Sequence, residues 1–285
     1  MSQGIAGADL INTVSERYAE EITTPEYGEG LDGLLTARQN QLRGIVNGID
    51  YDIFNPETDA AIAARYSVDA LAGKVQCKAA LQQEVGFDLN PRTPVVAMIG
   101  RLVDQKGFDL VAPILDRLLS EIDLQFVILG TGDPEYHEML RERAARNRRQ
   151  LAAFLTFDAA LAQRIYAGAD MFLMPSRFEP CGLGQLISLR YGTVPIVRST
   201  GGLADTVTDY RGATHRGTGF VFRDYNAVAL SVALGRALEV YRQPDRWLEV
   251  QVQGMRRDSS WAASASRYVD LYHEAIELRR LRSPS

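Results

Sequence analysis

From residue 93 onward, short apolar runs alternate with stretches whose apolar residues recur at helical spacing, and turn residues mark each change. Residues 95–99, 124–129, 171–174, 194–197 and 219–222 read as buried strands, with 151–156 a weaker one. Helices are predicted over 108–119, 161–169, 183–191 and 227–240, one more opens at Gly201-Gly202, and another takes Pro134 in its first turn, where the missing N–H is harmless. Near-continuous apolar strands separated by helices predict an α/β fold: a Rossmann-like parallel sheet with helices on both faces. Such sheets bind ligands beyond the C-terminal ends of their strands. The loops that matter are therefore those starting at Gly100, Gly130, Phe157, Pro175 and Ser199.

The first ninety residues differ. Residues 11–15 read as a strand running into a helix N-cap at Ser15, with 17–22 helical and a short strand near Ile45. A lone strand–helix unit has no sheet of its own, so its apolar face needs a partner. At the other end, 261–281 is predicted to be one helix, followed closely by Arg282.

Composition narrows the classes. Hydrophobic residues make up 46% and charged residues 24% of the 285 residues, an ordinary globular balance. A net charge of −5 argues against a general nucleic-acid or membrane-surface binder. The two cysteines, Cys77 and Cys181, have no CxxC spacing, which fits a reducing compartment and disfavours a disulfide framework or a cysteine zinc site. No apolar run reaches the roughly 20 residues of a membrane helix, and the N-terminus has no signal-peptide pattern. A cytoplasmic location is the expectation. The three histidines, His137, His215 and His273, share no motif, so a triad or histidine metal site is not expected. The arginines between 141 and 149 read as a solvated helix face, and Trp247 and Trp261 as packing residues.

The chemistry gathers in the strand-end loops. Gly100-Arg-Leu-Val-Asp-Gln-Lys-Gly107 places Arg101 and Lys106 at the crevice beside a helix start, an arrangement suited to a diphosphate; a merely solvated loop is the alternative. Ser176-Arg-Phe-Glu-Pro-Cys-Gly-Leu-Gly-Gln185 sets Glu179 over the crevice beside the amides of Gly182, Leu183 and Gly184. An acid for sugar hydroxyls next to amides for phosphate matches the two ends of a nucleotide sugar, although a carboxylate complementing a helix dipole would look similar. Cys181 in this loop is reactive or touches ligand, or simply fills space. Thr200-Gly201-Gly202 gives a third strand-to-helix loop with close backbone approach. Gly130-Thr-Gly132 lacks the third glycine of a dinucleotide fingerprint and reads as a turn.

In this order the loops resemble the donor-binding half of bacterial glycogen synthases and plant starch synthases. The resemblance rests on Pro175-Ser-Arg-Phe-Glu-Pro-Cys-Gly-Leu, Arg190-Tyr-Gly-Thr-Val-Pro-Ile-Val-Arg198 and Thr200-Gly-Gly-Leu-Ala-Asp205. Asn12-Thr-Val-Ser15, Thr24-Pro-Glu-Tyr-Gly28, Gly30-Leu-Asp-Gly-Leu-Leu35 and Asn47-Gly-Ile-Asp50 extend it, so that it runs from about Ala8 to Tyr272. It implies one half of a two-domain GT-B glycosyltransferase that moves glucose from ADP-glucose to the non-reducing end of an α-1,4-glucan with retention, using no metal or other cofactor. By the same resemblance Arg101 and Lys106 hold the diphosphate, Glu179 binds the glucosyl unit, backbone near Leu183 and Gly184 contacts phosphate or sugar, and Phe157 packs near adenine.

Some positions depart from the family. Gly184 stands where Thr is usual, Phe157 where Tyr is frequent, and Thr156 replaces a usual Gly. Ile187 occupies the place of a second acid in many related transferases, which favours the glycogen and starch synthases over the wider group. Family members begin with a domain carrying a Lys-x-Gly-Gly loop that this sequence lacks. The resemblance implies that residues 1–47 are the tail and linker of that domain, 48–258 the donor domain and 259–285 a crossover helix. The expectation for the chain alone is donor binding with little elongation. A non-catalytic nucleotide-sugar binding module, or a split-enzyme subunit needing a partner N-terminal domain, is the alternative.

Overall fold

The structure, a computed structural model, describes residues 1–282. The N-terminal segment holds α1 (Ser2–Gly7), β1 (Ile11–Thr13), α2 (Glu16–Glu21), α3 (Asp32–Ala37) and β2 (Leu42–Gly44). Strand β1 finds its partner in β2: the two pair in parallel, Ile11 opposite Leu42 and Thr13 opposite Gly44. Ser15 caps α2 as its position predicts, accepting from the Tyr18 N–H through Oγ.

After α4 (Ala72–Glu84) come β3 (Val95–Ile99), α5 (Phe108–Glu121), β4 (Gln125–Leu129), α6 (Pro134–Arg146), β5 (Leu151–Phe154), α7 (Ala159–Gly168) and β6 (Met171–Met174). Then follow α8 (Gly184–Arg190), β7 (Val194–Arg198), α9 (Gly201–Thr206), β8 (Phe220–Phe222), α10 (Ala227–Tyr241), α11 (Pro244–Met255) and α12 (Trp261–Arg282). Strands β3 to β8 form one sheet in the order β5-β4-β3-β6-β7-β8, every pair parallel. Counted along the chain this is 3-2-1-4-5-6, the Rossmann order, whose direction reverses between β3 and β6.

Alternation along the strands builds two cores. Val96, Met98, Phe126, Ile128 and Leu173 face one side and meet Leu115 of α5, Leu140 of α6, Leu234 of α10 and Trp247 of α11. Val95, Ala97, Val127, Leu129 and Phe172 face the other and meet Leu81 of α4, Ile165 of α7, Ile187 of α8 and Leu203 of α9. The period of two along each strand makes both faces apolar, as helix-covered parallel strands require.

Helices α4 and α11 are additional to the predicted elements: α11 buries Trp247, Val250, Gly254 and Met255 at helical spacing, whereas α4 escapes a reading of apolar periodicity. On α4, Lys74, Lys78 and Gln82 are buried with Cys77 and Leu81, so polar residues occupy much of its inner face. The two tryptophans part company: Trp247 is buried against Phe220 and Tyr241, whereas Trp261 opens α12 and stays 47% exposed. Helix α12 grips the small β1–β2 pair, Arg267 donating to the Gly44 carbonyl at 3.1 Å and Ser264 to that of Val46 at 2.8 Å. Val269, Tyr272 and Ile276, spaced along one helical face, stay about half exposed. Among the described residues no helix is long and apolar enough to cross a membrane.

Candidate active site at the switch point

The strand order puts the loops after β3 and β6 side by side at the C-terminal edge of the sheet, and these carry the predicted cations and acid. Gly107 sets their separation. Its φ of +81° belongs to the left-handed region, and a Cβ there would lie 2.3 Å from the Pro175 carbonyl oxygen. Lys106, just before it, donates from Nζ to Glu179 Oε2 at 2.6 Å. Ser176 Oγ donates to the same carboxylate oxygen at 3.0 Å. The Glu179 side chain is 7% exposed and that of Lys106 24%, so the pair is sheltered without being sealed.

Gln105 ties the loops together. It accepts from Arg101 Nη2 at 2.5 Å, donates to the Phe178 carbonyl at 3.2 Å, and accepts from the Arg177 N–H at 2.9 Å through its own carbonyl. Neither Gln105 nor Ser176 stands out in the sequence, although each lies inside a loop already singled out. A cavity of about 120 Å³ opens beside the pair, lined by Gly100, Lys106, Ser176, Glu179, Leu183 and Gly184 among others. Ligand sites for drug-sized molecules are typically about 300–1,000 Å³, so this one matches a single sugar or phosphate group.

The other predicted residues fall into three places. Leu183, 47% exposed, and Gly184 line the cavity at the start of α8. A Cβ on Gly184 would sit 2.9 Å from the Phe172 ring, so here the absent side chain makes room for packing beneath the loop. Cys181 and Gly182 belong to the interior of the acid loop. The Cys181 thiol is buried, and that burial pushes its pKa up, which makes it a filler of the loop rather than a reactive group. Ile187 lies in the apolar core, away from the cavity lining.

Thr200 and Gly201 do not offer their donors to the cavity. The Thr200 hydroxyl donates to the Glu21 carboxylate at 3.1–3.2 Å, and the Gly201 N–H donates to both Glu21 oxygens at 3.1 Å. Gly202 uses its N–H on the Glu179 carbonyl at 3.0 Å. Phe157 stands apart, 87% exposed after β5, which is two strands from β3 and therefore about 10 Å across the sheet. The Gly130-Thr-Gly132 turn packs on the cation loop, with Gly132 bridging to Leu102. Among the described residues no cluster of three or more His, Cys, Asp or Glu is placed to hold a metal ion. His137 bonds within the turn at Gly132 and His215 pairs with Glu249 at 2.8 Å, each engaged locally.

A parallel sheet in this order, with a lysine and an acid meeting at its switch point, is a Rossmann-like unit, and its likeness to glycosyltransferases makes it one half of the GT-B fold. Residues 82–249 match the family described as glycosyl transferases group 1, and the chain belongs to that family. Residues 1–37 match the starch synthase catalytic domain. The chain is 53% identical over 281 residues to a glycogen synthase of Moorella thermoacetica, an overlap covering 98% of this chain and 57% of that protein. It is 51% identical to a glycogen synthase of Thermotoga maritima over 96% of this chain and 56% of that one. It thus spans a little over half the length of these relatives. Among solved structures it is similar to the catalytic domain of starch synthase IV from Arabidopsis thaliana bound to ADP and acarbose, with a TM-score of 0.90 and 36% identity, covering 97% of this chain and 57% of that one. Sucrose-phosphate synthase from Thermosynechococcus elongatus shares the fold, with a TM-score of 0.65 and 18% identity over 97% of this chain and 60% of that one.

Proposed function

We propose that this chain forms the donor-binding half of a glycogen or starch synthase and takes ADP-glucose, with residues 48–258 as the donor domain and 1–47 and 259–285 belonging to the side of the facing domain. The observation that carries the reading is the Lys106–Glu179 pair over the switch-point cavity. A diphosphate entering there draws Lys106 away from Glu179 and meets Arg101 on the neighbouring loop position, leaving the carboxylate to face the sugar. Breaking the bond between the anomeric carbon and the diphosphate oxygen moves an electron pair onto ADP and leaves positive character on glucose. Fixed cations stabilise the first and a carboxylate the second. The glucosyl unit then passes to the 4-hydroxyl of an α-1,4-glucan with retention, the hydroxyl's proton going to the departing diphosphate oxygen as the new C1–O4 bond forms. Phe157, exposed at the sheet edge, is the proposed stacking surface for adenine, with stacking worth about 1–3 kcal/mol by analogy with other base–aromatic contacts.

For the chain alone the proposal is donor binding with little elongation, because transfer needs both walls of a cleft to orient the reactants and exclude water. Calorimetric titration with ADP-, UDP- and GDP-glucose tests the first part: ADP-glucose is expected to bind best, and failure of all three to bind overturns the donor-site reading. Incubation with radiolabelled ADP-glucose and a maltooligosaccharide tests the second, and robust elongation by the chain alone overturns it.

The half-exposed face of α12 formed by Val269, Tyr272 and Ile276 favours a second reading, a nucleotide-sugar binding module or split-enzyme subunit working with a separate N-terminal domain. Adding such a domain from a glycogen synthase separates the two versions: restored transfer indicates a split enzyme, and binding without turnover a module.

A further inference from the structure

Outside the cavity, one arrangement links the N-terminal segment to the acid loop. Helices α2 and α9 pack antiparallel, and each supplies a carboxylate to the other's N-terminus. Asp205, near the end of α9, accepts from Ser15 Oγ at 2.7 Å and from the Arg17 N–H at 3.2–3.3 Å. Glu21, the last residue of α2, accepts from Thr200 Oγ1 and from the Gly201 N–H, all within 3.1–3.2 Å, and meets Arg17 Nε at 3.3 Å. Glu21 is only 7% exposed. A buried carboxylate held by this many donors fixes whatever carries the donors, because leaving it unpaired is expensive.

What carries them is the turn that braces the acid loop. The Gly202 N–H donates to the Glu179 carbonyl at 3.0 Å. A Cβ on Gly201 would lie 2.0 Å from the Glu179 carbonyl oxygen, and one on Gly202 would lie 1.8 Å from that of Cys181. The two backbones are in direct contact, so a shift at Gly201 has no slack to absorb it before Glu179 and Cys181 move. From the other side, the main chain of Asn47 hydrogen-bonds the Cys181 thiol.

We propose that Glu21 is a positioning residue for the donor site: by anchoring the Thr200–Gly202 turn it fixes the backbone of Glu179 and Cys181, so that the acid's placement over the cavity depends on α2 being docked against α9. The proposal rests on the donor-site reading for its functional meaning and on the contacts alone for its mechanics. Glu21 touches neither the cavity nor any reacting group. It acts only through the turn.

The test uses the full chain with Glu21→Ala and Glu21→Gln. Labelling of Cys181 by a thiol reagent, resolved from Cys77 by peptide mass spectrometry, reads the loop directly, since both thiols are buried. With several charge-assisted hydrogen bonds removed, Glu21→Ala is expected to speed Cys181 labelling about tenfold while Cys77 stays protected. Affinity for ADP-glucose falls by about tenfold and that for ADP by less than about twofold, because Glu179 faces the sugar and the cations face the diphosphate. Glu21→Gln, which keeps the shape and an acceptor, recovers most of both effects. Unchanged Cys181 labelling, or equal acceleration at Cys77 and Cys181, overturns the proposal; the second result indicates general loosening. If Glu21→Ala does not fold, hydrogen exchange at the Gly201, Gly202 and Cys181 amides in Glu21→Asp, which keeps the charge but shortens its reach, decides, with faster exchange expected there and unchanged exchange overturning the idea. A wild-type chain that binds no nucleotide sugar sinks the donor-site reading, while the contrast between the two cysteines still judges the anchoring.

Discussion

Two lysine–carboxylate pairs flank the same two strands. At the C-terminal ends of β3 and β6, Lys106 meets Glu179 at 2.6 Å; at their N-terminal ends, Lys78 of α4 meets Asp170 at 2.7 Å. The distances barely differ, but the surroundings do. Lys78 Nζ also donates to the Pro91 carbonyl at 3.0 Å and to Tyr241 Oη at 2.7 Å, and Asp170 Oδ2 accepts from the Val95 N–H at 2.8 Å. Both of those side chains are nearly sealed, at 7% and 12% exposure. Lys106 pairs with Glu179, is more exposed, and borders a cavity. One pair is closed on itself and joins helix to sheet. The other has an ammonium whose remaining donors are free to be recruited. An ion pair marks a ligand site through the unfilled valences of its members and the space beside them, more than through its length.

The sharpest way to break this comparison is to remove one partner at the closed end. Asp170→Ala strands a buried ammonium and is expected to lower the unfolding free energy by about 3–5 kcal/mol in urea titration. The nucleotide affinity of the folded fraction should be unchanged, and a variant as stable as the parent would place the pair among the dispensable ones. At the open end the pattern reverses. Lys106→Ala is expected to cost about 1.5–3 kcal/mol of ADP affinity by calorimetry, with a smaller loss of unfolding free energy than Asp170→Ala shows. A large fall in stability with intact binding would make Lys106 structural.

Lys74, a turn before Lys78, ties stability to pH. Burial is the main cause that brings its pKa down from 10.5 to about 7, against the opposing pull of Asp170. The folded value lies below the unfolded one, so between about pH 7 and 10.5 the unfolded chain binds more protons. Stability therefore rises with pH across that window and falls back as pH drops toward 7. The slope at this site is at most about 1.4 kcal/mol per pH unit. Urea titrations at several pH values should show the slope in the parent and its loss in Lys74→Met; parallel profiles would assign the pH dependence elsewhere.

Much of the sheet was legible because its strands are apolar on both faces and many of its loops carry glycine or proline. The meeting of Lys106 and Glu179 followed from the rule that parallel sheets bind at their C-terminal edge, once the loops were placed after the right strands, whereas Arg101 joins them only through Gln105. Helix α4 was not legible, since Lys74, Lys78 and Gln82 face inward and erase the apolar period; their burial depends on carbonyls such as those of Ala167, Ala169 and Pro91, far along the chain. The engagement of Thr200 and Gly201 by Glu21 was hidden for a similar reason. A glutamate at the end of a short helix has no local mark of being buried, and its partners lie some 180 residues away. Gln105 and Ser176 were within sight, yet only coordinates show that one laces the loops and the other shares the acid's oxygen.

Gly107 carries a consequence for how this site can vary. The gap between the ammonium and the carboxylate is gauged by a hydrogen atom where every other residue would place carbon, against the carbonyl of Pro175. Even one added methyl would act as a wedge, levering the two loops apart at their root and widening the mouth above. Selectivity for larger or smaller ligands therefore has little freedom at the hinge of the crevice, and must be tuned at its outer lips instead.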